Sequence, residues 1–359
     1  MSADRHRASS VDRPTVSVVI PAWNGERFIE KTLLSVFAQT YTDLEIVVVD
    51  DGSTDGTREI LERHADRLRC HRQENEGQSA ARNRGAELAR GALLAFLDHD
   101  DCWEPTYLEA IVACFEAQPR AGLVVPGYRF LDADDRPLAR RRLKRSPGEW
   151  YTTCSLLEGD VGTIHNPVIR KDVFLASGGY DTTIHGPEDC ELWLRLSFAT
   201  EMLHLPEALL LYRTHADNAS KNLLDNAREW LRVLDKFERE HPEFVASNRR
   251  LMDRNWSKQY GRLGRELLAR KGEDRANRRE ARTALLQSIG REPLRVRSYI
   301  YAALTCLPGI TRLYSSWRRR ELEMHERSHD SSLLANLAQR RPGRHPWDRE
   351  RADRDKPTQ

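Results

Sequence analysis

No stretch of this chain reaches the roughly 18 consecutive apolar residues that a membrane-spanning helix requires. Its first thirteen residues are polar and charged and lack the apolar core of a secretory signal. The expectation is therefore a protein that acts inside the cell. Cysteine is sparse and unorganised. Cys70, Cys102, Cys114, Cys154, Cys190 and Cys306 form no CxxC pair and no ligand-like spacing, which argues against a disulfide framework or a zinc site. An excess of one charge is missing too: 57 Lys+Arg against 55 Asp+Glu leave a net +2, no global electrostatic case for nucleic acid. Neither GxGxxG nor GxxxxGK with a following Ser or Thr succeeds the first apolar run, which speaks against dinucleotide redox chemistry and P-loop hydrolysis. No internal repeat is visible.

What is present is a regular alternation of buried-type strands and amphipathic helices. The chain has 359 residues, enough for two domains, and 39% of them are hydrophobic. Val16–Ala22 reads as a buried parallel strand, and Asn24 as an N-cap for a helix with Phe28, Ile29, Leu33, Val36 and Phe37 on its apolar face. A second strand, Leu44–Val49, runs into Asp50-Asp51-Gly52-Ser53. A helix from about Asp55, a short strand near Leu68–His71, a helix over Gln78–Arg90 closed by Gly91, and an apolar strand over Ala92–Leu97 follow. Such spacing implies βαβ units and a mostly parallel, doubly wound sheet, in which ligands bind beyond the carboxyl ends of the strands. Pro21–Asn24, Asp50–Thr54 and Asp98–Asp101 all sit at such ends and should converge on one crevice.

Asp98-His99-Asp100-Asp101 is the most informative local feature. On an extended chain Asp98 and Asp100 share a face and Asp101 turns away. Crowded carboxylates repel unless a cation or donors compensate, and oxygen ligands suit Mg²⁺ or Mn²⁺ on a diphosphate. The alternative is an acidic turn that caps a helix starting near Glu104. Asp50–Gly56 offers acceptors for a base or ribose, or else a plain hydrophilic turn. Glu188-Asp189 opens an amphipathic helix through Leu192-Trp193-Leu194-Arg195-Leu196, where capping alone accounts for an acidic pair. Its nearness to the Gly178-Gly179-Tyr180-Asp181 turn favours a general base at a substrate loop.

Taken in order, Val18-Val19-Ile20-Pro21-Ala22-Trp23-Asn24, Val49–Asp55, Ala81-Arg82-Asn83-Arg84-Gly85 and Phe96–Asp101 resemble glycosyltransferase family 2, inverting enzymes of the GT-A fold. Gly178–Asp181, Glu188–Trp193 and Tyr212-Arg213-Thr214-His215 continue the pattern, so the resemblance covers about Val16–Ser220. It implies a nucleoside pocket lined by Pro21, Asn24 and Asp51, with Asp51 reading the base. Asp98 and Asp100 would form the DxD element, Asp98 facing the ribose and both serving Mn²⁺ or Mg²⁺ on the diphosphate. Asp189, beside Glu188, would be the catalytic base. Arg82 would steady the nucleotide, and Arg213 and His215 would contact the diphosphate or the metal. Trp23 replaces the family's usual Tyr. The implied function is transfer from a nucleoside-diphosphate sugar, with a UDP-sugar favoured, to a hydroxyl acceptor such as a lipid-linked glycan, in cell-surface polysaccharide or glycolipid synthesis. Two rivals are weighed. A sugar-nucleotide-forming nucleotidyltransferase would carry a Gly-rich basic loop where Pro21–Gly25 carries neither feature. A noncatalytic carbohydrate-binding or scaffold protein would not need the intact carboxylates.

The expected organisation is a disordered lead (1–13), a GT-A domain (14–235), a helical extension (236–318) and a disordered charged tail (319–359). Within the extension, helices are expected from about Asn222, over Glu243–Arg270 and over Arg275–Ile289. Residues 249–300 hold 15 Lys/Arg against 6 Asp/Glu. Tyr299–Leu307 is apolar for nine residues between Arg295 and Arg297 on one side and Arg312 and Arg318–Arg320 on the other. It reads either as an amphipathic stretch at the inner face of the cell membrane or as a helix docked on the protein's own core.

Overall fold

The computed structural model describes residues 14–138, 150–159, 164–215, 218, 222–270, 275–306 and 314. The expected lead and tail, residues 1–13 and 319–359, lie outside these residues.

The chain opens β1 (Val16–Ala22), α1 (Ile29–Phe37), β2 (Leu44–Asp51), α2 (Thr57–Arg63), β3 (Arg69–Gln73), α3 (Gln78–Leu88) and β4 (Leu93–Phe96). β5 (Cys102–Trp103), α4 (Tyr107–Ala117), β6 (Ala121–Leu131), β7 (Pro137–Leu138), β8 (Trp150–Tyr151), α5 (Thr153–Glu158), β9 (Val168–Arg170) and α6 (Lys171–Ala176) follow. The remainder is α7 (Glu188–Ala199), β10 (Glu201–Arg213), α8 (Leu223–Glu240), α9 (Pro242–Ser247), α10 (Arg249–Ala269), α11 (Arg275–Arg291) and α12 (Val296–Leu304).

The strands form one sheet in the order β3-β2-β1-β4-β9-β6-β10-β5. β3, β2, β1 and β4 are mutually parallel, as are β6 and β10. The antiparallel β9 joins the two blocks. Alternate side chains of the central strands feed opposite layers. Val18, Ile20, Ala95 and Leu97 enter the core under α1 and α4, whereas Val19, Leu94 and Phe96 enter the core shared with α7 and α8. Both faces of the strands are therefore covered, which is why the sequence of β1 is nearly continuous in apolar residues.

α3 has few apolar side chains because it packs by close approach. Ala81, Gly85 and Ala86 are buried, and a Cβ on Gly85 would lie 2.3 Å from Val19 Cγ1. Gly85→Ala should accordingly cost about 1–3 kcal/mol through overpacking, readable as a lower Tm.

Sequence and structure differ at three local points. Asn24 does not cap α1. It adopts φ 49°, a left-handed conformation that asparagine tolerates, and its Oδ1 accepts from Thr54 N at 2.9 Å. The helix expected over Glu243–Arg270 is broken between α9 and α10 at Asn248, whose Nδ2 donates to Phe244 O at 2.9 Å. Asp101 does not simply turn away: residues 98–101 form a turn closed by Asp101 N to Asp98 O at 3.1 Å, so strand alternation no longer applies. α8 runs unbroken through residue 235. Its Val233, Leu234 and Phe237 join the α7-side core, and α10 and α11 pack on its other flank through Ala227, Leu263 and Leu285.

Candidate active site

The three polar strand ends foreseen from the sequence do meet at one rim. The loop after β1 and the loop after β2 pin each other: Asn24 N donates to Ser53 Oγ, Gly25 N to Thr57 Oγ1, Glu26 N to Asp55 Oδ2, and Gly56 N to Glu26 Oε2, all within 3.1 Å. Pro21 is buried in β1 beside Val49. Asp51 is buried and its carboxylate accepts from Gln73 Nε2, Glu76 N and Gly77 N at 2.8–2.9 Å. In this structure it fastens the loop between β3 and α3. Trp23, next to this loop, is exposed.

The acidic turn is held from both sides. Thr32 Oγ1 on α1 donates to His99 O and to Asp101 O, each at 2.8 Å. Asp101 is buried and accepts from Arg213 N at 2.8 Å and Asn166 Nδ2 at 2.6 Å. Burial, with Asp100 and Asp98 alongside, pushes its pKa well up. Asp100 accepts from His215 Nε2 at 2.8 Å and Asn218 Nδ2 at 3.2 Å. Its burial is outweighed by the hydrogen bond from His215 and the nearby His99, and its pKa lies below the usual value. Arg213 is fully buried. It donates through Nε to Asp100 O at 2.7 Å, pairs with Asp135 and reaches Cys102 Sγ, so it braces the turn with its whole guanidinium.

One oxygen from each of Asp98, Asp100 and Asp101 lies within 4.8 Å of the others. This donor set fits a hard divalent cation such as Mg²⁺ or Mn²⁺. Asp98 and Asp100 are half-buried and face accessible space, whereas Asp101 is committed to Arg213 and Asn166. His215 stands at the same place through Asp100, its ring 4.7 Å from that of Phe28.

Arg82 ties this turn to the helix that carries the acidic pair. Almost wholly buried, it donates from Nη2 to Asp98 Oδ1 at 2.7 Å and from Nη1 to Glu188 Oε1 at 3.3 Å. Glu188 also accepts from Gly186 N at 2.7 Å. Although burial opposes charge, Asp98, Tyr180, Glu188 and Asp189 keep the Arg82 guanidinium firmly protonated. Asp189, half-buried in the same group, has its pKa raised to about 7 by burial and by Glu188, with Arg82 partly opposing. The upstream turn is locked onto α3: Asn83 Nδ2 donates to Tyr180 O, and Tyr180 N to Asn83 Oδ1, both at 2.8 Å. Gly179 has φ 72°, and a Cβ there would meet Asn83 Oδ1 at 2.5 Å, so glycine is required.

The sequence reading missed several residues that build this site. Asn166 and Asn218 hold Asp101 and Asp100, Gln78 Nε2 donates to Asp98 at 3.0 Å, and Asp135 pairs with Arg213. His165 was missed too. Its ring lies 4.8 Å from Tyr128 and 4.6 Å from Tyr212, with Phe130 beside them. Burial lowers its pKa to about 4 even though Asp98 acts against this, so it is neutral at pH 7. An aromatic wall next to a carboxylate suits the apolar face of a sugar ring.

Comparison with known proteins agrees with this geometry. The sequence model of Glycosyl transferase family 2 matches residues 17–174. An uncharacterized glycosyltransferase of Nostoc sp. is 39% identical over 127 residues, 34% of this chain and 39% of that protein. EpsH of Bacillus subtilis, named as a glycosyltransferase, is 32% identical over 216 residues, 57% of each protein. The chain spans only about a third to two fifths of the first such relatives. Among solved structures, Staphylococcus aureus TarS 1-349 in complex with UDP-GlcNAc aligns with a TM-score of 0.60 at 16% identity, over 88% of this chain and 92% of that one. The mannosyltransferase PcManGT from Pyrobaculum calidifontis, in complex with GDP-Man and Mn²⁺, aligns with a TM-score of 0.52 at 19% identity, over 86% and 88%. These likenesses establish a GT-A type fold. The match to glycosyltransferase family 2 spans residues 17–174, from β1 through the acidic turn to α6, and the chain is similar to that family over this part.

Proposed function

We propose that the chain is a metal-dependent, inverting glycosyltransferase that moves a sugar from a nucleoside-diphosphate sugar, a UDP-sugar foremost, to a hydroxyl acceptor. The setting proposed is cell-surface polysaccharide or glycolipid synthesis at the inner face of the cell membrane, with a lipid-linked glycan as acceptor. One observation carries the reading: the buried Arg82 joins Asp98 of the acidic turn to Glu188, the neighbour of a base-like Asp189, in one cluster.

In this proposal Pro21, Asn24 and Asp51 border the nucleoside, and Arg82 steadies the donor while keeping Asp98 and Glu188 compensated. Asp98 and Asp100 would hold Mn²⁺ or Mg²⁺, with His215 beside Asp100. When bound, such an ion supplies Lewis-acid neutralisation of the charge that develops on a diphosphate leaving group. Asp189 accepts the proton of the acceptor hydroxyl as that oxygen bonds to the anomeric carbon. The bond from that carbon to the diphosphate oxygen breaks, and the nucleoside diphosphate departs with the electron pair. A pKa near 7 suits this step, since a base poised near the working pH combines a useful ionised fraction with affinity for the proton. Attack from the face opposite the leaving group inverts the centre. The neutral His165 and the ring of Tyr212 would border the sugar.

The test is release of nucleoside diphosphate from a panel of UDP-, GDP- and thymidine-diphosphate sugars, with Mn²⁺, with Mg²⁺ and with a chelator. Release from at least one donor should fall at least tenfold on chelation. Absence of release from every donor under every metal condition would overturn the catalytic reading.

A further inference from the structure

Among the described residues, α12 is packed on one side and exposed on the other. Ser298 Oγ meets Ser288 Oγ at 2.8 Å, Thr305 Oγ1 accepts from Arg282 Nε at 3.1 Å, and Tyr301, Ala302 and Leu304 lie against the core formed by α8, α10 and α11. The opposite face carries Val296, Tyr299 and Ile300, three and four residues apart, preceded by Leu294 in the turn before the helix. Their exposures are 67%, 48%, 55% and 91%. Four large apolar side chains gathered within seven residues on a fixed scaffold are more than the scattered single residues a monomer surface normally shows.

The region around this stripe is rich in positive charge. Arg297 is exposed on α12 itself, and residues 249–300 carry nine more positive than negative charges, from 15 Lys/Arg and 6 Asp/Glu. Arg295 Nε lies 3.6 Å from where a Cβ on Gly261 would stand, so the start of α12 touches the middle of α10. There Lys258 joins Arg262 and Arg295 closely enough that burial and these two like charges lower its pKa. The arrangement, an apolar face in a region rich in positive charge and no span long enough to cross a bilayer among the described residues, is that of an interfacial helix.

We propose that α12 and the turn before it dock this protein on an anionic lipid surface, with Leu294, Val296, Tyr299 and Ile300 entering the interface and Arg297, Arg295 and Lys258 meeting headgroup charge. The docking stands apart from the reaction. Only its consequence, delivery of a lipid-borne acceptor, rests on the glycosyltransferase reading.

The experiment is co-sedimentation of the full chain with vesicles of phosphatidylcholine alone and with about 30 mol % phosphatidylglycerol, alongside Ile300→Glu and Arg297→Glu, both at exposed positions. Wild type should bind the anionic vesicles at least tenfold better than the neutral ones. Ile300→Glu should lose at least tenfold in binding, since each interfacial aliphatic side chain is worth on the order of tenfold in partitioning. Arg297→Glu should weaken binding most at low salt. Metal-dependent donor hydrolysis in the absence of vesicles, unchanged in Ile300→Glu, certifies the fold and separates this result from the fate of the catalytic reading. The proposal is overturned if wild type ignores anionic vesicles, or if Ile300→Glu binds them as wild type does. It is likewise overturned if light scattering shows a self-association that Ile300→Glu abolishes in a protein without vesicle affinity. The stripe would in that case be an interface between copies.

Discussion

Asp189→Asn is expected to leave donor affinity within about threefold of wild type and to cut transfer by roughly 10²–10⁴-fold, the usual contribution of a positioned general base. Asparagine keeps the shape of the side chain and removes only its capacity to take a proton. Wild-type transfer should rise with pH through about 7, where Asp189 ionises under the opposing influences of burial and Glu188 on one side and Arg82 on the other. The effect on stability has the reverse sign. The folded-state pKa of about 7 lies above the ordinary carboxylate value of 3.8, so the folded protein holds the proton more tightly than the unfolded chain does. Stability contributed by the protonated form is complete below about pH 4 and is lost as pH rises toward 7. Asp189→Asn should therefore raise Tm by a few degrees at pH 8, where the wild type buries an anion, and change it little at pH 5. Donor titration, initial rates and paired melts at the two pH values measure all of this. A variant that transfers sugar at the wild-type rate removes Asp189 from the role of base.

The parts of this site that the sequence announces are those carried by single strand ends. Buried-type runs stop at Ala22, Val49 and Leu97, polar residues follow, and a doubly wound sheet brings such ends to one rim whatever the details of packing. The resemblance to a known family added Glu188-Asp189, which in isolation reads as helix capping. What could not be read are links between residues far apart in the chain. Arg82 and Glu188 are 106 positions apart, and Asp101 takes its partners from Asn166 and from the backbone of Arg213, 65 and 112 positions away. Periodicity describes faces of elements and says nothing of which faces meet. Asp51 and Arg213 show the same limit from the other direction. Their protein partners could not be read either: Asp51 accepts from Gln73 at the end of β3 and from Glu76 N and Gly77 N before α3, and Arg213 engages Asp100, Asp135 and Cys102. The antiparallel β9, three residues long, is invisible for a different reason. Its place between β4 and β6 is a topological choice, and so short a segment carries no period of its own. Asn166 had one local signal, a polar residue between Ile164 and the apolar run Val168–Ile169. At φ 42° it takes the left-handed turn that asparagine permits.

Arg82→Met should be the most destabilising substitution in the site, with a loss of about 3–5 kcal/mol at pH 8 and no measurable transfer. Methionine fills a similar volume, so the cost comes from charge: Asp98 and Glu188 would each lose a hydrogen-bonding cation, and Asp189 would lose a positive charge that opposes its burial. Arg82→Lys should recover stability in part and activity poorly. A single ammonium cannot reproduce a guanidinium that reaches Asp98 from Nη2 and Glu188 from Nη1. The pH dependence separates charge from packing. Without Arg82 opposing its burial, Asp189 takes up its proton at higher pH in the folded state, and a raised carboxylate pKa favours the folded form as pH falls. The stability deficit of Arg82→Met should therefore shrink between pH 8 and pH 5, which urea denaturation of wild type and variant at both values would show. A deficit equal at the two pH values would mean that Arg82 matters for how it fills space, and that the cluster is not organised around its charge.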